Sequence, residues 1–224
     1  ILYGEGEYFE LSNIMKRIVI FGATGNTGLC ALKRAVTKGL DVRVFVRDEG
    51  KVPSELKDKV EIVVGDAKNA EQVSKAVEGR DGVVVVLGTR NNLSATTELS
   101  QSLQNIIDGM KMHNVELLSV CLSAFLFYKP EAVPAIFKDL NADHQRMFDI
   151  VKGCGLKWIA VLPPHIAGTL NISIDTIKKI GKYEVKHDES PGRAISKHDL
   201  GAFLVESLEQ PKHYQQVCGI ATVS

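Results

Sequence analysis

Short apolar runs alternate with amphipathic stretches along most of the chain. Arg17–Phe21 (RIVIF), Asp41–Val46 (DVRVFV), Val60–Val64 (VEIVV), Gly82–Leu87 (GVVVVL), Glu116–Leu122 and Lys157–Leu162 are too short for helices and read as strands. Thr27–Lys38, Ala70–Glu78, Ser94–His113 and Leu140–Cys154 lie between them with helical spacing. Strands that are apolar on both faces and separated by helices predict a parallel sheet with right-handed crossovers. The predicted fold class is therefore α/β, a doubly wound parallel sheet in a single domain over residues 15–224.

The rhythm breaks after Pro163-Pro164. Ala167–Gly192 is polar and contains glycines and a lysine pair, so it is expected to be a long surface loop or a small lid near residues 167–192. A last helix over Lys197–Leu208 and a short strand near Val217–Val223 complete the pattern. Residues 1–14 have neither the basic head nor the apolar run of a signal peptide. Met15-Lys16-Arg17 opens the first strand, so the expectation is an N-terminal extension outside the core.

Composition narrows the function classes. Of 224 residues, 27 are basic and 27 acidic, which removes the electrostatic case for a nucleic-acid partner. No run approaches the roughly 20 apolar residues that span a bilayer, so no membrane partner is expected. Cys30, Cys121, Cys154 and Cys218 are scattered without a C-x-x-C pair, and the expectation is reduced thiols in a reducing compartment with no metal.

The first candidate chemistry follows the first strand. Gly22-Ala-Thr-Gly25-Asn-Thr-Gly28 has the spacing G-x-x-G-x-x-G and opens a helix, a variant of the dinucleotide fingerprint of Rossmann sheets. Gly22 permits the tight turn, Gly25 lets the backbone approach a pyrophosphate, and Gly28 permits close packing of helix on strand. Helix N–H groups then face the phosphates, and Thr24, Asn26 and Thr27 can add side-chain bonds. At the end of the second strand stand Arg47 and Asp48, with Lys51 behind. A guanidinium suits the extra phosphate of NADP, whereas a carboxylate suits the ribose of NAD; Arg47 is nearer the strand tip, which favours NADP. Asp66 sits where the adenine should rest, or else caps the following helix. Gly88 and Arg90, after the fourth strand, would line the other side of the cofactor.

Ser123 at the tip of the fifth strand can orient an acceptor or relay a proton; its other reading is a cap. His165, after two prolines, can bond the nicotinamide amide or the substrate. Phe125, with Phe127 and Tyr128, offers a surface on which flat conjugated rings stack. Arg193 can meet an anionic substrate. His198 and Asp199 read as first-turn residues of the last helix. The Tyr-x-x-x-Lys relay of alcohol-oxidising short-chain dehydrogenases has no match in the sequence. An acceptor that delocalises charge over a ring system does not require that relay.

Phe21-Gly-Ala-Thr-Gly-Asn-Thr-Gly28, Val46-Arg-Asp48, Leu87-Gly-Thr-Arg-Asn91, Ser123-Ala-Phe125, Pro163-Pro-His165 and Ile195-Ser-Lys-His-Asp199 occur in order. Together they resemble the biliverdin reductase B family of NADPH-dependent flavin reductases, atypical short-chain dehydrogenases. The resemblance implies a monomeric cytoplasmic enzyme that uses NADPH to reduce flavins and biliverdin IXβ, its partner being a small-molecule flavin or linear tetrapyrrole. It implies that Ala67, Leu87, Cys121, His144 and Ile166 join Gly22, Thr24, Gly25, Asn26, Thr27, Arg47, Lys51, Asp66, Gly88, Arg90 and His165 around the cofactor. It also implies that Ser123 is the active-site serine. Leu122 departs from the family, which has threonine there, and the Ala167–Gly192 stretch is several residues longer than its counterpart. The alternative from another class is a non-catalytic NADP-binding redox sensor.

Overall fold

The computed structural model describes residues 15–89, 92–168 and 181–222. The expected N-terminal extension, the candidate Arg90, residues 169–180 of the expected lid and residue 223 of the last strand lie outside the described residues.

In chain order the elements are β1 (Arg17–Phe21), α1 (Asn26–Thr37), β2 (Asp41–Val46), α2 (Ser54–Lys57), β3 (Glu61–Val64), α3 (Ala70–Val77), β4 (Gly82–Val85) and α4 (Glu98–Met112). There follow β5 (Leu117–Cys121), α5 (Lys138–Gly153), β6 (Lys157–Leu162), β7 (His165–Ala167), β8 (Tyr183–His187), β9 (Ala194–Ser196), α6 (Lys197–Glu206) and β10 (Gln216–Thr222). Eight strands form one sheet in the order β3-β2-β1-β4-β5-β6-β10-β8, while β7 and β9 pair apart from it. Every pairing in the large sheet is parallel except β10 with β8.

Alternation along β1 explains the layering. Ile18 and Ile20 face α1 and α6, packing with Leu32, Ala35, Phe203 and Leu204. Val19 and Phe21 face the other way, into Val73 of α3, Leu103 and Ile106 of α4 and Met147 of α5. These four side chains are fully buried, which is why the run after Arg17 reads as continuously apolar rather than alternating. The chain leaves β1 toward β2 on one side, while β4 pairs on the other. This strand-order reversal opens a crevice at the carboxyl ends of the strands, where ligands of such sheets bind.

Several boundaries differ from the sequence reading. β4 ends at Val85 rather than Leu87: the Val86 N–H still donates to Phe21 at 2.8 Å, and the chain then turns across the Gly22 backbone. α4 starts at Glu98 rather than at 94, because its first turn is capped from α5 by the buried Asp143 carboxylate. The stretch expected to be a loop or lid over 167–192 contains β8. There Tyr183 and Val185 pack partly buried against the α1–α6 side of the core and the intervening Glu184 is exposed. That is period-two alternation at a sheet edge, masked in the sequence by its charged positions. β7 and β9 were not foreseen, being only three residues each.

Candidate cofactor and substrate site

The turn after β1 is built around the absence of side chains. Gly22 has φ +86°, and a Cβ there would stand 2.3 Å from the Val86 carbonyl oxygen. A Cβ on Gly28 would stand 2.0 Å from the Gly22 carbonyl oxygen. Gly25 differs: its extended backbone (φ −79°, ψ 167°) suits any residue, and a Cβ would meet only Gly22 O, at 3.4 Å. Gly25 is the N-cap of α1, no side chain caps this end, and the first turn contains no acidic residue. The positive end of α1 therefore faces the crevice with its N–H groups uncompensated by the protein. Gly25 and Asn26 are exposed, Thr24 is half-buried and Thr27 is buried. The cradle fits a dinucleotide pyrophosphate.

Beside it, Arg47 and Asp48 take separate tasks. Asp48 caps a one-turn 3-10 helix (Glu49–Lys51), accepting the Gly50 N–H at 2.9 Å, and Lys51 lies 3.7 Å from the same carboxylate. Asp48 is thus engaged by its own loop, while Arg47 is exposed at the strand tip. Asp66 accepts the Lys68 N–H at 2.9 Å and its own N–H donates to Gln72 Oε1. The N-cap of α3 is Asn69 rather than Asp66, which leaves Asp66 exposed as a turn residue at the crevice wall. Ala67 and Leu87 are half-buried against the α3–α4 side of the core, and a Cβ on exposed Gly88 would meet nothing within 4 Å. Asn105, not singled out from sequence, anchors this wall by donating to the Ala67 carbonyl at 3.0 Å.

The far end of the crevice forms between the tips of β5 and β6. These strands pair through Cys121 and Val161, and beyond them the Ala124 N–H donates to the Pro163 carbonyl at 3.1 Å. Ser123 therefore follows the tip of β5 one residue before this bond, and His165 follows the tip of β6 two residues after it. Ser123 caps a short 3-10 turn (Ala124–Phe127), its Oγ accepting the Phe125 N–H at 3.3 Å. That use takes an oxygen lone pair and leaves the hydroxyl hydrogen for a ligand, so capping and a role at the site are compatible. Cys121 is buried and its thiol is pushed up to about 12 by desolvation, so it is wall rather than nucleophile.

His165 and Ile166 lie in β7, exposed, and the pairing of His165 with Ala194 of β9 brings the exposed Arg193 alongside. His144, on α5, has its pKa lowered to about 4 by desolvation, with Asp143 pulling weakly the other way. Its imidazole is neutral at physiological pH, and its buried Nδ1 has no partner among the described residues. Asn141, one turn earlier, has an equally orphaned buried Oδ1. Sequence reasoning passed over Asn141, although its i, i+3 spacing from His144 puts both on one side of α5.

Phe125 packs against Phe137 (ring centroids 5.1 Å apart) and edge-on against Tyr128 (5.8 Å). Phe125 and Tyr128, with Val133, Lys138 and Asn141, line a groove of about 400 Å³, within the usual size of a small-molecule site. His198 and Asp199 are elsewhere, in the first turn of α6 behind its Ser196 cap, as the sequence reading had them.

Residues 22–211 match the sequence profile of a family described as NAD(P)H-binding. Among solved structures, a Rossmann-fold NAD(P)-binding family protein from Shigella flexneri superposes with a TM-score of 0.71 at 21% identity, over 93% of this chain and 94% of the other. A short-chain dehydrogenase/reductase from Veillonella parvula in complex with NADP gives 0.71 at 12% identity, over 93% and 95%. The anaerobilin reductase ChuY from Escherichia coli O157:H7 gives 0.72 at 18% identity, over 92% and 97%. At these identities the structural likenesses establish the shared fold. No described helix is long and apolar enough to cross a membrane. With the glycine cradle at the open end of α1 and the profile matched from Gly22 onward, the chain belongs to the NAD(P)H-binding family of Rossmann-fold proteins.

Proposed function

We propose that this protein is an NADPH-dependent reductase of flat conjugated acceptors, flavins and biliverdin-type linear tetrapyrroles, as its resemblance to biliverdin reductase B implies. The observation that carries the reading is the Ala124–Pro163 backbone bond that ties the Ser123 turn to the segment leading into His165, beside a groove walled by Phe125 and Tyr128, with no Tyr-x-x-x-Lys relay in the sequence. Similarity to a tetrapyrrole reductase and to an NADP complex supports the same direction.

In this reading the Gly22–Gly28 turn, with Thr24, Asn26 and Thr27, holds the pyrophosphate, and Arg47 and Lys51 neutralise the ribose phosphate. Asp66, Ala67, Leu87 and Gly88 bound the adenosine side, with Arg90 assigned there too. Cys121, His144, His165 and Ile166 surround the nicotinamide. The bound cofactor supplies the hydride. Phe125 holds the acceptor ring by stacking, and Arg193 meets its anionic substituents. Ser123 holds the acceptor through its free hydroxyl hydrogen, and the open groove lets solvent deliver the proton. We further assign the protein as a cytoplasmic monomer.

The test is loss of reduced nicotinamide absorbance with FMN and with biliverdin IXβ, each with NADPH and NADH. Turnover preferring NADPH supports the proposal. A Ser123→Ala variant with unchanged kcat but raised KM assigns the serine to positioning. Tight NADPH binding without turnover of either acceptor overturns the reductase and favours a redox sensor.

A further inference from the structure

β10, separated from β1 by β4, β5 and β6, carries a second constellation well away from the glycine turn. His187 ends β8 and is the register partner of Cys218 in the antiparallel β8–β10 pair. His213 comes from the one-turn 3-10 helix Pro211–His213, which packs over the same strands. His187 Nε2 lies 2.9 Å from His213 Nδ1, and Cys218 Sγ lies 3.6 Å from that same nitrogen. All three ligand atoms fall within 4.8 Å of one another.

Hydrogen bonding accounts poorly for this arrangement. Both the His187 ring nitrogen and the Cys218 sulfur converge on one nitrogen of His213, and that nitrogen has a single in-plane lone pair, or a single proton, to offer. A cation at the common focus would take a lone pair from each of the three. Tetrahedral coordination with Zn–N near 2.05 Å and Zn–S near 2.3 Å sets nitrogen and sulfur about 3.6 Å apart and two nitrogens about 3.3 Å apart. The Cys218–His213 spacing, 3.6 Å, already has that value, and the Cys218–His187 spacing lies within 4.8 Å. The nitrogen–nitrogen spacing needs only a few tenths of an ångström, which the exposed His187 ring can supply by rotation. The other two ligands are fixed: Cys218 is fully buried, and the 5% exposed His213 is held edge-on by Phe203, with ring centroids 5.3 Å apart.

We propose that His187, His213 and Cys218 form a site for one zinc-class divalent ion, with solvent as the fourth ligand on the exposed His187 side. Imidazole and thiolate together suit zinc rather than magnesium or calcium. Binding replaces the Cys218 S–H with an S–metal bond and releases that proton to solvent; no electron changes hands. The ion clamps the edge strand β8 to β10 and to the Pro211–His213 turn.

Cobalt(II), then zinc, titrated into the metal-stripped full-length chain tests this. The expected result is a thiolate-to-cobalt charge-transfer band that saturates at one equivalent and is displaced by zinc. His187→Ala, at an exposed position, should weaken binding by at least about tenfold, and Cys218→Ser should abolish the band. Cys30→Ala should leave it intact, although Cys30 lies 3.4 Å from His198 Nδ1. Absence of the band in the unmodified chain, its survival in Cys218→Ser, or unchanged affinity in His187→Ala overturns the site. If Cys218→Ser does not fold, the His187→Ala titration decides.

Discussion

The carboxylate of Asp143 on α5 accepts the hydroxyl of Ser100 on α4 at 2.5 Å, with both residues buried. The same carboxylate accepts the Leu99 and Ser100 N–H groups at 3.1 and 3.4 Å, and Arg146 pairs with it at 3.1 Å. A single buried side chain thus caps one helix from another and holds α5 against α4. α5 also carries Asn141 and His144 to the candidate site, so this polar hub links packing to function.

Asp143→Ala leaves the buried Leu99 and Ser100 donors of α4 without their acceptor, while the 45% exposed Arg146 side chain can turn to water. The expected loss of unfolding free energy in urea is about 1–3 kcal/mol. Asp143→Asn, which keeps an acceptor oxygen, should cost distinctly less.

The glycines of the turn separate stability from binding. Gly28→Ala pushes a methyl against backbone of Gly22 and Ala23, which cannot rotate away, and should destabilise the fold by about 1–3 kcal/mol. Gly25→Ala has a compatible backbone and no clash. Its melting temperature should be nearly unchanged, while its affinity for NADPH, measured by calorimetry, falls at least about tenfold because the methyl blocks the approach of phosphate.

In the proposed reading Arg47 selects the cofactor, since Asp48 is turned toward Gly50. Charge-assisted bonds to phosphate contribute about 1.5–3 kcal/mol, so Arg47→Ala should raise KM for NADPH by roughly 10–100-fold. KM for NADH should hardly change. An equal effect on both would move the phosphate contact to another residue.

What could be read from the chain depended on how local each cause is. Continuous apolar runs placed β1, β2 and β6 to the residue, because burial on both faces is written into each run. The glycine turn was equally plain, since its steric demands come from neighbours in sequence. The start of α4 was not, because its cap, Asp143, is 44 residues away from Leu99. β8 was hidden because an edge strand buries only alternate positions and those only in part. The Arg47–Asp48 ambiguity needed the Gly50 contact, and the approach of His187, His213 and Cys218 is created by strand pairing rather than by sequence spacing. The orphaned Asn141 and His144 atoms emerge only from the packing of α5 over the turn after β5.

His144 makes stability depend on pH in a stated direction. Burial lowers its pKa from 6.5 to about 4, so the unfolded chain takes up the proton first. Its contribution is fully present above pH 6.5 and is lost progressively as pH falls through that window toward about 4. At pH 5 the loss from this group is about 2 kcal/mol, a fall in melting temperature of roughly 4–8 °C for a chain of this size. Asp199 in α6 acts oppositely. Burial raises its pKa from 3.8 to about 6, so the folded chain binds that proton first. Its contribution is present below pH 3.8 and is lost as pH rises through about 6. His144→Gln should therefore flatten the decline between pH 7 and pH 5, and Asp199→Asn should steepen it while raising the melting temperature at pH 7. Thermal melts of the three proteins across that range check both signs, and parallel curves would refute the assignment of either group.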